Sequence, residues 1–231
     1  MEHIDTIAID GPAGSGKSTL GKYLADQLGY LFFDTGVMYR AVTWEAAARG
    51  VDLTDEIAVT RLAEQIRIDV RSPSRQDGRT SDVLVDGKDI TWEIRQPEVD
   101  ANVSLVSTYS GVRKAMADEQ RRIGLSGKVV MVGRDIGTVI LPEADVKIYL
   151  EASDEERARR RYTELQRRGE EADYDEILAA LRIRDQIDST RSISPLYPAD
   201  DAVILDSDRL TIEQVIQRAL EIVMNKQQRQ G

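Results

Sequence analysis

The segment that most restricts the fold is Gly11-Pro12-Ala13-Gly14-Ser15-Gly16-Lys17-Ser18, which fits G-x-x-x-x-G-K-[ST] without a mismatch. Glycines at these positions let backbone N–H groups turn inward around a polyphosphate, and the positive end of a following helix adds to the attraction. The pattern carries that chemistry only between a strand and a helix. Both flanks read that way. Ile4–Ile9 is a strand-like apolar run, and Lys17–Leu28 sets Leu20, Tyr23, Leu24 and Leu28 near helical spacing before Gly29. A glycine-rich turn that binds nothing would need neither flank. Gly11, Pro12, Ala13, Gly14, Ser15, Gly16, Lys17, Ser18 and Thr19 are therefore the expected nucleoside triphosphate site. Lys17 is expected on the β- and γ-phosphates, and the Ser18 hydroxyl as a ligand of the accompanying Mg²⁺.

Four more short apolar runs follow: Tyr30–Phe33, Val129–Val132, Val146–Leu150 and Ala202–Leu205. The last three are mostly β-branched, as suits strands buried on both faces. Strands alternating with helical patterns imply right-handed βαβ units and a parallel sheet. The expected fold class is α/β, a three-layer P-loop NTPase fold on a five-stranded parallel sheet, with a core from 1–35 and 113–231. Met38–Arg49 reads as a helix stopped by Gly50. Two stretches break the rhythm. Near 66–95 the pattern alternates, with Val83-Leu84-Val85 running into the hairpin-type Asp86-Gly87, so an antiparallel insertion is expected within 36–112. Glu155–Arg191 reads as a helix, a mobile connection near Gly169–Asp173 and a second helix.

Charge narrows the partners. The chain has 31 Lys plus Arg against 41 Asp plus Glu, a net charge of −10, which disfavours long nucleic acids because their affinity comes from phosphate neutralisation. Yet 24 of those cations are Arg and only 7 are Lys, a bias toward the guanidinium fork that fits phosphate and carboxylate. Zero cysteines exclude a disulfide framework, a thiolate zinc site and a cysteine nucleophile. The single His3, expected to be an exposed terminal residue, leaves no Ser-His-Asp triad. No apolar run reaches the ~18 residues of a membrane span, and no basic start precedes an apolar stretch at the N-terminus. A soluble, cytoplasmic protein without membrane or nucleic-acid partners is expected, monomeric by default. Trp44 and Trp92 are expected to pack rather than to stack on a base.

A phosphate loop does not name the acceptor. A guanine-reading N/T-K-x-D motif is missing after Val146–Leu150, where Glu151-Ala152-Ser153-Asp154 stands. A small-molecule kinase needs a second anion site facing the loop. Candidates lie at strand ends, where open α/β sheets bind ligands. They are Asp34-Thr35-Gly36 with Tyr39 and Arg40, then Gly133-Arg134-Asp135, and Arg184, Asp188 and Arg191 at i, i+4 and i+7 on one helix face. Singly, each arginine reads equally well as a salt-bridged surface residue. Six arginines and Glu164 fall within 157–168, and Arg157, Arg160, Arg161, Glu164 and Arg168 share a face. That stretch alone reads as a solvated helix.

GPAGSGKST at 11–19, DTGVMYR at 34–40, GRDIGTV at 133–139 and RDQIDSTRSISPL at 184–196 closely resemble the bacterial cytidylate kinases, across essentially the whole chain. The resemblance implies phosphoryl transfer from ATP to CMP or dCMP with Mg²⁺, and makes 36–112 the nucleoside-monophosphate-binding (NMP-binding) domain. It assigns Arg40, Arg134 and Arg191 to the acceptor phosphate, and Ser104, Arg113 and Asp135 to cytosine. Arg184 and Asp188 go to the sugar, Thr35 and Tyr39 to the acceptor's surroundings. It makes 153–172 a short lid, whose Arg157, Arg160 and Arg161 join Lys17 as catalytic candidates. Asp135 has two readings, accepting from the cytosine N4 amino group as Asp does in DNA, or orienting a Mg²⁺-bound water. A kinase for another small acceptor and a nucleotide-dependent switch or nucleic-acid-binding protein are the rival functions.

Overall fold

A computed structural model describes residues 4–229. Five short strands, β1 (Thr6–Asp10), β2 (Leu31–Asp34), β6 (Val129–Val132), β7 (Val146–Glu151) and β8 (Val203–Asp206), form one parallel sheet in the order β2-β6-β1-β7-β8. The side-chain period of two, with both faces covered, explains why their central residues are mostly apolar. Ile7 and Ile9 face one way, with Val130, Val132, Ile148 and Leu150, and α1 (Lys17–Leu28) and α8 (Ile212–Arg229) cover them. Ala8, Val129 and Met131 face the other way, under α2 (Gly36–Ala48) and α5 (Ser110–Gly124). The result is the expected three layers.

Strand β8 departs from the expectation of burial on both faces. It is one of the sheet's two edges, and Val203 and Ile204 are 45% and 54% exposed, whereas Phe32 and Phe33 of β2, the other edge, are covered. Apolar composition marks a strand but not its place in the sheet.

Between α2 and α5 lie α3 (Glu56–Gln65), an antiparallel sheet of β3 (Ile68–Arg71), β4 (Asp82–Val85) and β5 (Lys88–Asp89), a 3-10 turn at Glu93–Arg95 and α4 (Pro97–Val106). Asp86 and Gly87 both have positive φ, 50° and 83°, as a two-residue hairpin turn of the primed type requires. Buried Arg79 donates to Asp77, Asp82 and Asp89, tying the 72–81 loop to this sheet. The insertion does not close a core of its own. Val59, Ile68, Val83, Ile90 and Ile94 belong to one apolar cluster with Ala8, Phe33 and Met131 of the main sheet, and α5 runs through residue 112.

Past β7, Ser153 caps α6 (Asp154–Arg167) by accepting from the Glu156 N–H at 3.3 Å. Asp173 caps α7 (Tyr174–Thr190) by accepting from the Glu176 N–H at 3.0 Å. Gly169, at φ 74°, ends the first of these helices.

Candidate active site

The parallel strands end on one side of the sheet, and the loops that leave them build the site. Strand β1 runs straight into Gly11, where a Cβ would stand 2.1 Å from the Leu150 carbonyl oxygen, so only glycine lets the loop pass β7. Lys17 opens α1 and is buried, its Nζ donating to the Pro12 carbonyl at 2.6 Å and to Ser15 Oγ at 3.4 Å. Burial, with Arg134 nearby, pushes its ammonium down to about 7. An anion in the loop would reverse that by supplying the missing negative charge. Ser18 Oγ donates to Asp34 Oδ2 at 2.7 Å. A hydroxyl and a carboxylate are the hard oxygens that Mg²⁺ takes from a protein, the rest coming from water and phosphate. This hydroxyl–carboxylate pair fits a Mg²⁺ that brings its remaining ligands with a nucleotide. Asp34 was expected only as the start of the acceptor-side Asp34-Thr35-Gly36 segment, and the structure sets it against Ser18 instead.

A cavity of about 280 Å³ separates this loop from the second anion site. Ala13, Gly14, Lys17 and Ser18 form one wall, and Thr35, Tyr39, Arg40, Arg113, Arg134, Asp135, Arg184, Asp188 and Arg191 form the other. Nine residues expected from four separate stretches thus meet. Arg113 of α5 donates through Nη2 to Asp135 Oδ2 at 2.7 Å, the two side chains being 5% and 8% exposed. The Arg113 guanidinium lies 5.5 Å from the centre of the Tyr39 ring. Burial pushes the Tyr39 phenol up, although Arg113 opposes it. Asp188 sits among three arginines: Arg134 donates to it, Arg191 Nη1 lies at 3.4 Å and Arg184 Nε at 3.9 Å. Burial and the neighbouring guanidiniums hold Arg184 and Arg191 below the ordinary arginine value. Buried Arg113 Nε and Arg191 Nη2 have no hydrogen-bond acceptor. Positive charge and donor capacity are both in excess here, the condition that an anionic ligand relieves.

Three expected residues are engaged elsewhere. Arg40 donates to Asp100 Oδ1 at 2.5 Å and to the Ile94 carbonyl at 3.1 Å. The Thr35 hydroxyl donates to the Val132 carbonyl at 3.1 Å. Ser104 accepts from Arg184 Nη1 at 3.2 Å, but Val103 and Ser107, one residue before and three after it, line the cavity.

Across the loop from the acceptor side, a larger cavity of about 610 Å³ opens beside Ser15, Gly16 and Thr19. Its apolar wall is Leu150, Leu210, Ile212 and Val215, and Arg159, Arg160, Thr163 and Arg167 of α6 form the opposite side. No motif or spacing singles out Leu210, Ile212 or Val215. Their one signal is position, just after the last strand.

Of the arginines expected on a lid, Arg157 is 3% exposed and donates to the Ala13 carbonyl at 2.9 Å and the Ala152 carbonyl at 3.0 Å, while pairing with Asp185 of α7. Arg160 donates to the Ser15 carbonyl at 3.3 Å and the Ser207 carbonyl at 2.6 Å. Arg161 pairs with Glu164 at 2.9 Å and lines neither cavity. The helical spacing groups these residues correctly, but Asp185 draws Arg157 into the α6–α7 seam. Trp44 packs on the core with Lys88 4.9 Å over its ring. Trp92, expected to pack rather than stack on a base, is 44% exposed, donates to Asp77 and carries Arg95 at 5.0 Å over its ring. His3 lies outside the described residues.

Comparison with known proteins agrees with this arrangement. The profile of the family described as cytidylate kinase matches residues 7–225. A cytidylate kinase of Chloroflexus aggregans is 53% identical over 206 residues, covering 89% of this chain and 88% of its own length. One from Herpetosiphon aurantiacus is 50% identical over 218 residues, 94% of this chain and 93% of its own. Among solved structures, an uncharacterized protein from Eubacterium ventriosum has a TM-score of 0.52 at 11% identity, covering 96% of this chain and 99% of its own, a likeness of fold alone.

Proposed function

The chain belongs to the cytidylate kinase family, and from that premise we propose that it moves the γ-phosphoryl group of ATP onto CMP or dCMP, giving CDP or dCDP. The observation that carries this reading is the single cavity shared by a phosphate loop and a cluster of arginines in charge excess. A kinase for two phosphorylated substrates needs just that, one polyphosphate cradle and one anion clamp within transfer distance.

In this mechanism the loop N–H groups and Lys17 hold the β- and γ-phosphates. Ser18 and Asp34 would hold the Mg²⁺ that comes with them, which offsets charge on the phosphates when bound. Leu210, Ile212 and Val215 offer the donor's base an apolar wall beside the loop. Arg134 and Arg191, with Arg40 released from Asp100, take the acceptor phosphate. That phosphate is already anionic at neutral pH, so no general base is required. The Arg113–Asp135 pair presents a carboxylate to the cytosine N4 amino group, and uracil would set its O4 acceptor against the same carboxylate. Arg184 and Asp188 are assigned to the sugar, and Thr35 and Tyr39 to the walls around it. Arg157 and Arg160, anchored on the loop carbonyls, and Arg161 are the candidates for charge stabilisation at transfer. We assign 36–112 as the NMP-binding domain and 153–172 as the lid.

Net charge of −10 supports free nucleotides rather than nucleic acids as partners, and no helix among the described residues is long and apolar enough to cross a membrane. A cytoplasmic monomer is the simplest assignment. A panel of CMP, dCMP, UMP and AMP, each assayed with ATP and Mg²⁺, tests the reading. Turnover with the two cytidine nucleotides well above UMP and AMP is expected. ATP consumption without any monophosphate, or RNA affinity with a steep salt slope and no CMP turnover, would overturn it.

A further inference from the structure

Asp10, the last residue of β1, is buried at 6% exposure and forms no ion pair among the described residues. The functional reading above gives it no task. Its two carboxylate oxygens are nevertheless both used. Oδ1 accepts from the Ile136 N–H at 2.9 Å and Oδ2 from the Gly137 N–H at 2.7 Å. These two amides open the π-helical turn Ile136–Ile140, whose own bonds run from the N–H groups of Ile140 and Leu141 back to the Asp135 and Ile136 carbonyls. The first N–H groups of any helical turn have no partner within it. A side chain from a different strand supplies it here.

The position of this contact matters more than its strength. Strand β6 is held to β1 by the parallel ladder up to the Gly133 N–H, which donates to the Ile9 carbonyl at 3.0 Å. Beyond Gly133 the chain leaves the sheet, and the next two residues are Arg134 and Asp135. Asp10 recaptures the chain immediately after them. The two residues therefore span a short bridge staked at one end by the ladder and at the other by Asp10. On its other side Asp10 is bonded covalently to Gly11, the first residue of the phosphate loop. An asparagine could not do the same work, because its amide offers one acceptor and would set an N–H donor against the second backbone N–H.

We propose that Asp10 is a positioning residue, fixing Arg134 and Asp135 relative to the phosphate loop and so setting the distance between the donor and the acceptor. The inference rests on the phosphotransfer reading of the site. Displacing a substrate anchor by about 1 Å can cost on the order of 10²-fold in rate, so a modest loosening of this bridge is measurable.

The test is Asp10→Asn, with Asp10→Ala beside it, in the full chain. KM for CMP should rise at least tenfold on the scale of misplaced anchors and kcat should fall, while KM for ATP stays within about twofold. A merely structural role predicts lower resistance to urea with unchanged constants for the folded fraction, and that outcome would overturn the proposal. Hydrogen exchange in the wild-type protein gives a second reading that requires neither folded variants nor turnover. The Ile136 and Gly137 amides should be protected although no backbone carbonyl accepts from them, and rapid exchange at both would refute the pin. If the wild-type enzyme turned over no monophosphate at all, the phosphotransfer reading would fail, and positioning for that reaction would fail with it. Slow exchange would then establish Asp10 only as a clasp on the turn.

Discussion

Breaking the Arg113–Asp135 pair separates what it does for the fold from what it does for the substrate. Asp135→Ala leaves a guanidinium that is 5% exposed with one weak contact, Nη1 to the Ser107 carbonyl at 3.3 Å, and with Nε already lacking an acceptor. Orphaning one member of a buried pair typically costs about 3–5 kcal/mol, whereas replacing both by apolar groups of similar volume is nearly neutral. Asp135→Ala and Arg113→Met should each lower the urea midpoint by about 1–2 M at a slope of about 2–3 kcal/mol/M. The double variant should regain most of that loss, so the two single losses, about 6–10 kcal/mol together, should exceed the double's by well over 3 kcal/mol. Recognition follows a different rule. A carboxylate that accepts from the cytosine amino group contributes about 1–3 kcal/mol of discrimination, roughly 10- to 100-fold in the CMP KM. Asp135→Ala and the double variant should both lose it, with the ATP KM nearly unchanged. Urea titration and steady-state kinetics below the lowest melting temperature measure the two effects independently. If the single losses sum to the double, the pair is not coupled. If the double recovers CMP affinity along with stability, Asp135 does not read the base. A selective shift in Mg²⁺ dependence would move it to the metal side instead.

Lys17→Ala should lower kcat on the order of 10²–10³-fold, as removal of one charge-stabilising donor does, and should leave the urea midpoint near or above the wild-type value, because burying an ammonium is unfavourable; an unchanged kcat would end its assignment. With Lys17 held down to about 7 in the free enzyme, the group is charged below that pH and neutral above it, while a polyphosphate requires the charged form. ATP affinity should therefore weaken between pH 7 and pH 9, by about tenfold per unit at the steepest. Binding at pH 8 should take up close to one proton, measurable by calorimetry in buffers of different ionisation enthalpy, and a flat affinity over that range would mean the ammonium is already charged in the free loop. Gly11→Ala puts a methyl group 2.1 Å from the Leu150 carbonyl, so the loop must shift; ATP KM should rise more than CMP KM, and equal effects would argue against a local cause. Deleting 66–95 removes Ile68, Val70, Val83, Val85, Ile90 and Ile94, all at most 5% exposed in the core shared with the main sheet. At about 1.5–3 kcal/mol per buried side chain the loss rivals the whole stability of a domain. Loss of cooperative unfolding is expected, and a truncated chain with a sharp urea transition would show instead that the insertion is an independent unit.

Legibility in the sequence tracked how local the cause was. The phosphate loop is readable because its chemistry is written in consecutive residues, down to the glycine that must pass the Leu150 carbonyl. The strands are readable because burial on both faces demands apolar residues at every position, but edge position leaves no such mark, hence Val203 and Ile204. The acceptor residues could be named one by one, yet their partnerships could not. Arg113 finds Asp135 across 22 residues and Arg134 finds Asp188 across 54, and no pattern in the chain encodes either meeting. Helical spacing likewise groups Arg157 with Arg161 without saying which of them turns inward; Asp185, on another helix, decides that. Asp10 was hidden for a related reason, since at the sequence level it is only the polar end of a strand. Apparent contradiction between an acidic chain and an anion-binding site dissolves on the same ground. Net charge is a sum over the chain, whereas the site depends on which cations are deprived of acceptors. Arg134, Arg184 and Arg191 share the single carboxylate of Asp188, and Arg191 keeps a buried N–H without an acceptor. Surface aspartates and glutamates elsewhere cannot reach that N–H. A phosphate dianion brought into the cavity could, and it would meet the deficit that folding leaves there.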